Sequence, residues 1–299
     1  MLLRARDVRT MGRRRSAVQL DAVHPDKRAT AAKPALSAML RNSTLQEDFP
    51  MSLQAAFRGP LWLAVGLFLI SLAAAQAQRQ ADTAADGPPA QSHYMGRRIA
   101  TTMHYRGAPW LTRDTREREE RCSLMLANLG VKPGMTVCDI GCGNGYYTLQ
   151  LAEMVGPTGR VLAVDIQPEM LDMLRKRAAK AGLTNIAPII GSPYDPKLPE
   201  GEVDLILLVD VYHEFSHPAQ MLGAMRDSLA PKGVIALLEY REEDPDVPIK
   251  PLHKMSKQQI MKEFPPNGFR LVKQFERLPW QHMMFFGRDE SWESSGRSK

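Results

Sequence analysis

The sequence predicts an α/β protein whose core is a doubly wound, largely parallel sheet. From residue 130 onward, short apolar runs that suit buried parallel strands alternate with segments of helical spacing. A glycine-rich loop follows the first of these runs, and the last two runs lie close enough in the chain to pair as an antiparallel hairpin. The seven predicted strands therefore form one sheet with a C-terminal antiparallel hairpin.

The stretch Val137–Thr148 is central to this prediction because it joins a strand to a helix through a glycine-rich loop. The predicted strand Thr136–Ile140 carries Asp139, and glycine then stands at every second position, at Gly141, Gly143 and Gly145. Glycine adopts positive φ and has no Cβ, so such a loop brings its backbone N–H groups against a ligand. The dinucleotide fingerprint spaces its glycines differently, which argues against an NAD-dependent oxidoreductase, and the sequence lacks the G-K-[S/T] of a P-loop.

The loop resembles motif I of the class I S-adenosylmethionine-dependent methyltransferases, which reads D/E-x-G-x-G-x-G and holds the amino acid end of the cofactor. The resemblance extends over roughly Met103 to Arg288. It implies a Rossmann-like seven-stranded sheet and S-adenosylmethionine as the cofactor. It also implies cofactor contacts from Asp139 and from the loop residues Gly141, Cys142, Gly143, Asn144 and Gly145.

A second carboxylate is predicted beside this loop. Helix Tyr146–Val155 ends at Gly156, and the next strand, Arg160–Ile166, carries Asp165 near its end. In a right-handed βαβ unit this position lies at the carboxyl edge of the sheet, where a carboxylate can accept hydrogen bonds from both ribose hydroxyls. The resemblance adds Ile166 as an adenine contact.

The third strand, Asn185–Ile190, follows the predicted helix Pro168–Ala181, which Gly182 ends. The chain then reads Gly-Ser-Pro-Tyr-Asp where the resembling methyltransferases often carry Gly-Asp-Ala. The resemblance therefore implies that the adenine is contacted by Ser192, whose hydroxyl can accept a hydrogen bond, and by Asp195.

The most reactive-looking side chains follow the fourth strand, Val203–Val209. Open α/β sheets bind ligands at the carboxyl edge, so we expect catalytic roles here for Asp210, His213 and Glu214. His213 is the candidate general base because an imidazole titrates near neutrality. Tyr212 is a candidate substrate contact. The alternative is structural: Asp210 caps the next helix and His213 hydrogen-bonds within its loop.

The remaining elements complete the predicted sheet. The Leu-x-Pro-x-Gly turn at Leu229–Gly233, before an apolar strand, is a further feature of the resembling family. The predicted elements are helix His217–Leu229, strand Val234–Tyr240, helix Ser256–Phe264 capped by Ser256, and the hairpin strands Phe269–Leu278 and Gln281–Gly287.

Aromatic, methionine and histidine residues cluster before the first strand, and we expect a helical lid over the site or an apolar arm on the sheet. The candidate substrate contacts in this segment are His104, Tyr105 and Trp110. A single charged amphipathic helix, Thr112–Leu129, is predicted to follow, with Gly130 as its stop.

Charge is concentrated at the N-terminus. Residues 1–50 hold ten Lys or Arg and five Asp or Glu, so only one of the six net positive charges lies beyond them. This pattern predicts a basic disordered head, and the near-neutral remainder argues against a nucleic-acid substrate. The three cysteines have no metal-ligand spacing, so they predict neither a metal site nor a disulfide.

Residues 51–77 are predicted to be a signal peptide or a membrane anchor. The apolar run Leu61–Ala75 spans ~22 Å as a helix, short of the ~30 Å hydrocarbon core, and Ala75-Gln76-Ala77 offers a cleavage site. We expect Met51 to be the true start; if Met1 is genuine, the run contacts the membrane as an anchor. With either start, we expect the protein to be exported to the periplasm or anchored in the membrane. If residues 51–77 do not act as a signal, the protein stays in the cytoplasm.

The sequence thus predicts a linker at 78–92, a methyltransferase domain at 93–290 and a disordered tail at 291–299. The expected activity is in-line methyl transfer to a hydroxyl or amine of a small molecule. One alternative is a divalent-metal-assisted O-methyltransferase that uses Asp210, His213 or Glu214 and also Glu239. Another is an exported binding or envelope protein that keeps the fold without turnover. Oligomeric state is not predicted.

Overall fold

The computed structural model describes residues 87–292. The predicted head at 1–50, the signal or anchor segment at 51–77, residues 78–86 of the linker and residues 293–299 of the tail lie outside the described residues. Within 87–292, no helix is long and apolar enough to cross a membrane.

The strands and helices of this part alternate along the chain. The strands are β1 His93–Tyr94, β2 Arg97–Arg98, β3 Thr136–Ile140, β4 Arg160–Asp165, β5 Ile186–Ile190, β6 Val203–Val209, β7 Leu229–Arg241, β8 Lys254–Met255, β9 Phe269–Phe275 and β10 Gln281–Arg288. The α-helices are α1 Ala108–Leu111, α2 Arg116–Glu120, α3 Cys122–Asn128, α4 Tyr146–Val155, α5 Pro168–Ala181, α6 Pro218–Ser228 and α7 Lys257–Glu263.

The main sheet has the strand order β5-β4-β3-β6-β7-β10-β9, with the short β8 paired to the end of β7. Strands β3 to β7 are parallel, and β10 runs antiparallel to both β7 and β9. The predicted doubly wound sheet with a closing hairpin is confirmed. The chain winds outward from β3 to β5 and then restarts on the other side of β3 at β6. This reversal creates the switch point where open α/β sheets bind ligands.

Alternate residues of the central strands pack into layers on opposite faces of the sheet, as side chains of a strand must. Ile206 and Leu208 of β6 join the cluster that also holds α6 and α7, whereas Leu205 and Leu207 join the cluster that holds α3 and α4. Because both faces are covered, every residue of β6 except Asp204 is apolar, which is why its sequence shows a nearly continuous apolar run.

The single predicted helix over 112–129 is wrong. Two helices, α2 and α3, meet at Arg121, which has the left-handed φ of 53°. Glu120 and Cys122 are both buried. In one continuous helix these positions would point about 200° apart, so only the break lets both side chains face the interior.

Several further boundaries differ from the prediction, most of them by one residue. Strand β4 ends at Asp165, which leaves Ile166 outside it, and α6 is one residue shorter at each end than predicted. Strand β7 begins at Leu229 rather than Val234, because Leu229 already pairs with Val203 and the register then shifts across the Leu-x-Pro-x-Gly segment. The sheet also has an eighth strand, β8, whose two residues are too few to produce a pattern.

The buried carboxylate of Glu263 joins the N-terminal ribbon β1–β2 to α7. It forms a salt bridge with Arg97, whose Nε lies 2.7 Å from Oε1, and it accepts hydrogen bonds from Tyr212 Oη at 2.6 Å and Gln259 Nε2 at 2.7 Å. Removing one partner of a buried ion pair leaves an uncompensated charge.

We therefore expect Glu263→Ala to lower the free energy of unfolding by about 3–5 kcal/mol, measured by urea denaturation. The matched control is Glu276→Ala, which breaks the more exposed ion pair with Lys257 and should cost under ~1 kcal/mol. Equal losses in the two variants would contradict the role of Glu263.

Candidate functional site

A cavity of about 640 Å³ opens at the switch point of the sheet. It is lined by the glycine loop after β3, the residues that follow β4 and β6, the segment before α2, and the chain just ahead of β8. Its size lies within the range of small-molecule sites. The cavity thus lies at the carboxyl edge of the sheet, where the ligand is predicted to bind.

Two glycines of the loop form one wall of this cavity. Gly141 and Gly143 have φ of 71° and 53°, and both line the cavity. A Cβ on Gly141 would lie 2.4 Å from Val211 Cγ2, and one on Gly143 would lie 2.6 Å from Leu111 Cδ1. Both backbone conformation and space therefore require glycine here.

Asp165 also lines the cavity, beside this loop. Its Oδ2 accepts a hydrogen bond from Gly143 N at 2.9 Å, and its Oδ1 accepts one from Gln167 N at 2.8 Å. Burial raises the pKa of Asp165, although its backbone hydrogen bonds oppose this rise. Each carboxylate oxygen keeps a lone pair that a ligand hydroxyl can reach.

The other loop residues predicted to touch the cofactor lie behind the wall and are not among the lining residues. Asn144 donates from Nδ2 to Ala108 O and accepts from Arg177, while Gly145 lies at the start of α4 against Leu174. Cys142 is buried, and its amide donates to Val164 O. Their contacts support the loop.

Asp139 is also buried behind the loop, where its Oδ2 accepts a hydrogen bond from Thr148 Oγ1 at 2.6 Å. The pKa of Asp139 is raised to about 6, chiefly by burial and also by the charge of Asp165, while the Thr148 hydrogen bond opposes the rise. The folded protein therefore binds this proton more tightly than the unfolded chain does. Stability from this preference is complete below a pH of about 4 and is lost as the pH rises through about 6.

Asp139→Asn keeps an acceptor for Thr148 but cannot ionise. In cofactor-free protein, the free energy of unfolding of the variant minus that of wild type should be larger at pH 8 than at pH 4, by roughly 2.5 kcal/mol. Urea denaturation at the two pH values measures this difference. The exposed Asp246→Asn should stay within ~0.5 kcal/mol of wild type at both; a pH-independent difference for Asp139→Asn would contradict the prediction.

Asp210 directly follows β6 and lines the cavity. Its φ of 51° is unusual for a non-glycine residue. Oδ2 accepts a hydrogen bond from Gln281 Nε2 at 2.7 Å, whereas Oδ1 is buried without a hydrogen-bond partner among the described residues. Burial raises the pKa of Asp210 well above its ordinary value, and Glu120 and Glu239 raise it further. A ligand in the cavity can supply the missing partner.

His213 is held by the carboxylate of Glu239, which is not one of the three predicted catalytic residues. Glu239 of β7 accepts from His213 N at 3.1 Å through Oε1 and lies 2.6 Å from His213 Nδ1 through Oε2. Burial lowers the pKa of His213, but the charge and hydrogen bond of Glu239 outweigh it, and the net shift is upward. On the other side of the ring, Nε2 lies 3.0 Å from His253 Nδ1.

Glu214 lies next to these histidines and lines the cavity with them. Its carboxylate accepts from Met103 N at 3.3 and 3.4 Å. Burial raises the pKa of Glu214 to about 7, while His213 opposes the rise. The three predicted catalytic residues all line this one cavity: Asp210, His213 and Glu214.

The segment before α2 contributes part of the wall. Trp110 lines the cavity, and its ring stacks on the guanidinium of Arg113 at 3.7 Å. His104 is exposed and its Nδ1 accepts from Arg106 N, whereas Tyr105 donates its backbone N–H to Gln167 Oε1. Neither His104 nor Tyr105 is among the lining residues.

Two of the predicted adenine contacts, Ile166 and Ser192, line the cavity. Asp195 does not; its backbone and that of Ser192 bond to each other, and its Oδ1 accepts from Lys197 N. Tyr212 is completely buried, with its hydroxyl on Glu263, and is not among the lining residues either.

Among the cavity residues that sequence reasoning missed are Gln167, His253 and Lys250. Gln167 joins the upstream segment to α5, because its Oε1 accepts from Tyr105 N and its Nε2 donates to Met103 O. His253 and Lys250 reach the cavity from the segment before β8. The position of Gln167, one residue before a predicted helix, could have indicated its place at the sheet edge. No local sequence pattern indicates His253 or Lys250.

The cavity fits the cofactor that the resemblance implies. Gly141 and Gly143 leave a cradle that a Cβ would fill, Asp165 offers carboxylate oxygens beside it, and Asp210 Oδ1 lacks a partner. Such a site can bind a nucleoside, because its acceptor oxygens can pair with the hydroxyl and amino groups of the ligand. The residues present are therefore compatible with S-adenosylmethionine.

The chain is similar to known methyltransferases. A family profile described as "Methyltransferase domain" matches residues 131–283. The chain is 29% identical over 173 residues to a demethylmenaquinone methyltransferase of Shouchella clausii, covering 55% of this chain and 70% of that one. It is 36% identical over 75 residues to a nocamycin O-methyltransferase of Saccharothrix syringae, covering 25% of this chain and 27% of the other. The chain thus spans only about a quarter of that relative's length.

A solved structure described as an S-adenosylmethionine-dependent methyltransferase from Aquifex aeolicus superposes with a TM-score of 0.59 at 26% identity. The match covers 62% of this chain and 98% of that one.

Proposed function

Because the chain belongs to the class I S-adenosylmethionine-dependent methyltransferase family, we propose that it methylates a hydroxyl or amine of a small molecule bound in the cavity. One observation carries the proposal. The cavity that is lined by Gly141, Gly143 and Asp165 is also lined by His213 and Glu214. A cofactor loop and a candidate proton acceptor therefore share one space.

The sulfonium of S-adenosylmethionine supplies an electrophilic methyl group when it is bound. The task of the protein is then to align a nucleophile with that group and to exclude water. Backbone groups at Gly141 and Gly143 would hold the methionine portion, Asp165 the ribose hydroxyls, and Ile166 and Ser192 the adenine. The apolar walls, which include Trp110 and Phe215, would exclude water.

We assign to His213 the role of taking the acceptor proton. Its Nδ1 is held by the Glu239 carboxylate at 2.6 Å, which leaves Nε2 as the nitrogen that faces other groups of the cavity wall. A histidine oriented by a carboxylate is a general base of known effectiveness. Glu214, whose pKa is raised to about 7, would orient the acceptor.

The test is transfer of a labelled methyl group from S-adenosylmethionine to a panel of small alcohols, phenols and amines, using the full chain. We expect label on at least one oxygen or nitrogen acceptor and none with S-adenosylhomocysteine added in excess. Tight S-adenosylhomocysteine binding without transfer to any class of acceptor would instead support the binding-protein alternative.

Carbon is a second candidate acceptor atom. The named relatives include a demethylmenaquinone methyltransferase, and apolar side chains such as Leu111, Met170 and Val211 line the cavity of this chain. A ring with an ionised hydroxyl would present a nucleophilic carbon to the same methyl group. Mass spectrometry and NMR of the product of a phenolic acceptor distinguish a C–CH₃ from an O–CH₃ bond.

We also propose that the catalytic domain is exported or membrane-anchored through residues 51–77. The apolar run Leu61–Ala75 and the Ala-Gln-Ala that ends the segment motivate this proposal. Cell fractionation of a C-terminally tagged chain tests it, together with N-terminal sequencing of the mature protein. A soluble cytoplasmic product with an intact segment 51–77 would refute export.

A further inference from the structure

Three donor atoms on one wall of the cavity converge on a single point. His213 Nε2 lies 3.0 Å from His253 Nδ1, and Glu214 Oε1 lies 3.9 Å from each of these nitrogens. A point equidistant from the three atoms is about 2.1 Å from each, which is the distance that Zn²⁺ keeps from imidazole nitrogen and carboxylate oxygen. The wall therefore already has the dimensions of a metal site.

The orientation of His213 also suits a ligand. Glu239 Oε2 lies 2.6 Å from its Nδ1, so the proton is held there and Nε2 presents a lone pair. Metal-bound histidines are usually oriented in this way by a carboxylate on the other ring nitrogen. Glu239 is fully buried and lies on β7, an inner strand of the sheet, which makes the orientation rigid.

The simplest competing explanation is a direct hydrogen bond between the two histidine rings. That arrangement satisfies one nitrogen of each ring, but it gives no role to the approach of Glu214 Oε1 to both nitrogens. His253 and Glu214 also line the cavity, so an ion held here would keep open positions towards a ligand.

We propose that His213, Glu214 and His253 bind a divalent transition-metal ion at the acceptor side of the cavity. Two imidazoles and one carboxylate form the donor set of zinc hydrolases and of non-haem iron(II) sites. Mg²⁺ and Ca²⁺ prefer all-oxygen ligands, so this donor set selects against them. This site differs from the metal site considered from the sequence, which included Asp210 and Glu239. In the structure, Glu239 orients the ligand His213, and His253 supplies the further donor atom.

The role of the ion in catalysis rests on the proposed function, whereas its binding does not. An acceptor hydroxyl bound at an open position would lose its proton to solvent, since a divalent ion lowers the pKa of a bound hydroxyl. The acceptor oxygen would then form the new bond to the methyl carbon, and the electron pair of the broken C–S bond would stay on sulfur. In this scheme His213 is a ligand and not the base.

The experiment is a titration of the full chain, stripped with chelator, by Zn²⁺ and by Mg²⁺ in a calorimeter. We expect one Zn²⁺ site that binds at least 100-fold more tightly than Mg²⁺, and Co²⁺ should give visible absorption bands at the same stoichiometry. His253→Ala and Glu214→Gln should each weaken this site at least 10-fold, and Glu239→Gln should weaken it 10- to 100-fold. Circular dichroism checks that each variant is folded.

The matched control is His93→Ala, because His93 is exposed and hydrogen-bonded only to Ser92 in the contacts described for it. It should leave the titration unchanged. If the tightest Zn²⁺ site is the same in wild type, His253→Ala and Glu214→Gln, the proposal is overturned. S-adenosylhomocysteine binding, measured on the same samples, shows independently whether the proposed methyltransferase function still holds.

Discussion

Replacing Asp165 by alanine should weaken the binding of S-adenosylhomocysteine at least about 100-fold. A hydrogen bond to a charged group contributes roughly 1.5–3 kcal/mol, and the two carboxylate oxygens of Asp165 would serve two ribose hydroxyls. The variant also loses the acceptor for Gly143 N, which holds the cofactor loop. Isothermal titration calorimetry on the full chain measures the loss.

Two further variants separate these effects. Asp165→Asn keeps one oxygen for the loop amide and should lose less affinity than alanine. Asp172→Ala removes an exposed carboxylate of α5 that pairs only with Arg175 in the contacts described for it, and its affinity should match wild type within twofold. Equal affinities of Asp165→Ala and Asp172→Ala would remove Asp165 from the cofactor site.

Replacing His213 by glutamine should lower kcat by about 10²- to 10⁴-fold, the usual contribution of a general base. A fall in kcat with unchanged Zn²⁺ binding assigns His213 as the base, whereas loss of both assigns it as a metal ligand. Affinity for S-adenosylhomocysteine should change by less than about twofold, because in the proposed assignment His213 faces the acceptor and not the nucleoside. Steady-state kinetics and calorimetry on the same preparation measure the two quantities.

A second buried histidine provides the control. His282 also pairs with a carboxylate, Glu243, at 2.7 Å, but it is not among the residues that line the cavity. His282→Gln should keep kcat within about threefold of wild type once the folded fraction is taken into account. If both variants lose activity equally, the effect of His213 is structural.

The parts of the fold that were predictable from sequence are those governed by local pattern. Helices α4 and α5 and strands β3 and β6 have the predicted bounds, because glycine or proline punctuates the two helices and both strands are mostly apolar runs. The break at Arg121 was not predictable in this way. It depends on Glu120 reaching Arg113, Arg116 and the hydroxyl of Tyr240, a residue 120 positions away.

The candidate site shows the same division. Asp165 ends β4, Asp210 directly follows β6 and His213 comes three residues later, so their position at the sheet edge could be inferred from strand order. The pairing of His213 with Glu239 and His253 could not, because β7 and the chain before β8 approach it only through tertiary packing. The positive φ of Asp210 likewise leaves no mark on the sequence.

The short ribbon β1–β2 and the chain up to α2 lie upstream of Val131, where the family profile begins. Yet Arg97 Nη1 and Ala100 N both donate to His213 O, at 3.0 and 3.1 Å, and Met103 and Trp110 line the cavity. The functional unit is thus larger than the module that the family shares. A relative could retain the sheet and cofactor loop and exchange only this upstream segment, which would alter the molecules that the cavity admits without rebuilding the methyl-donor side.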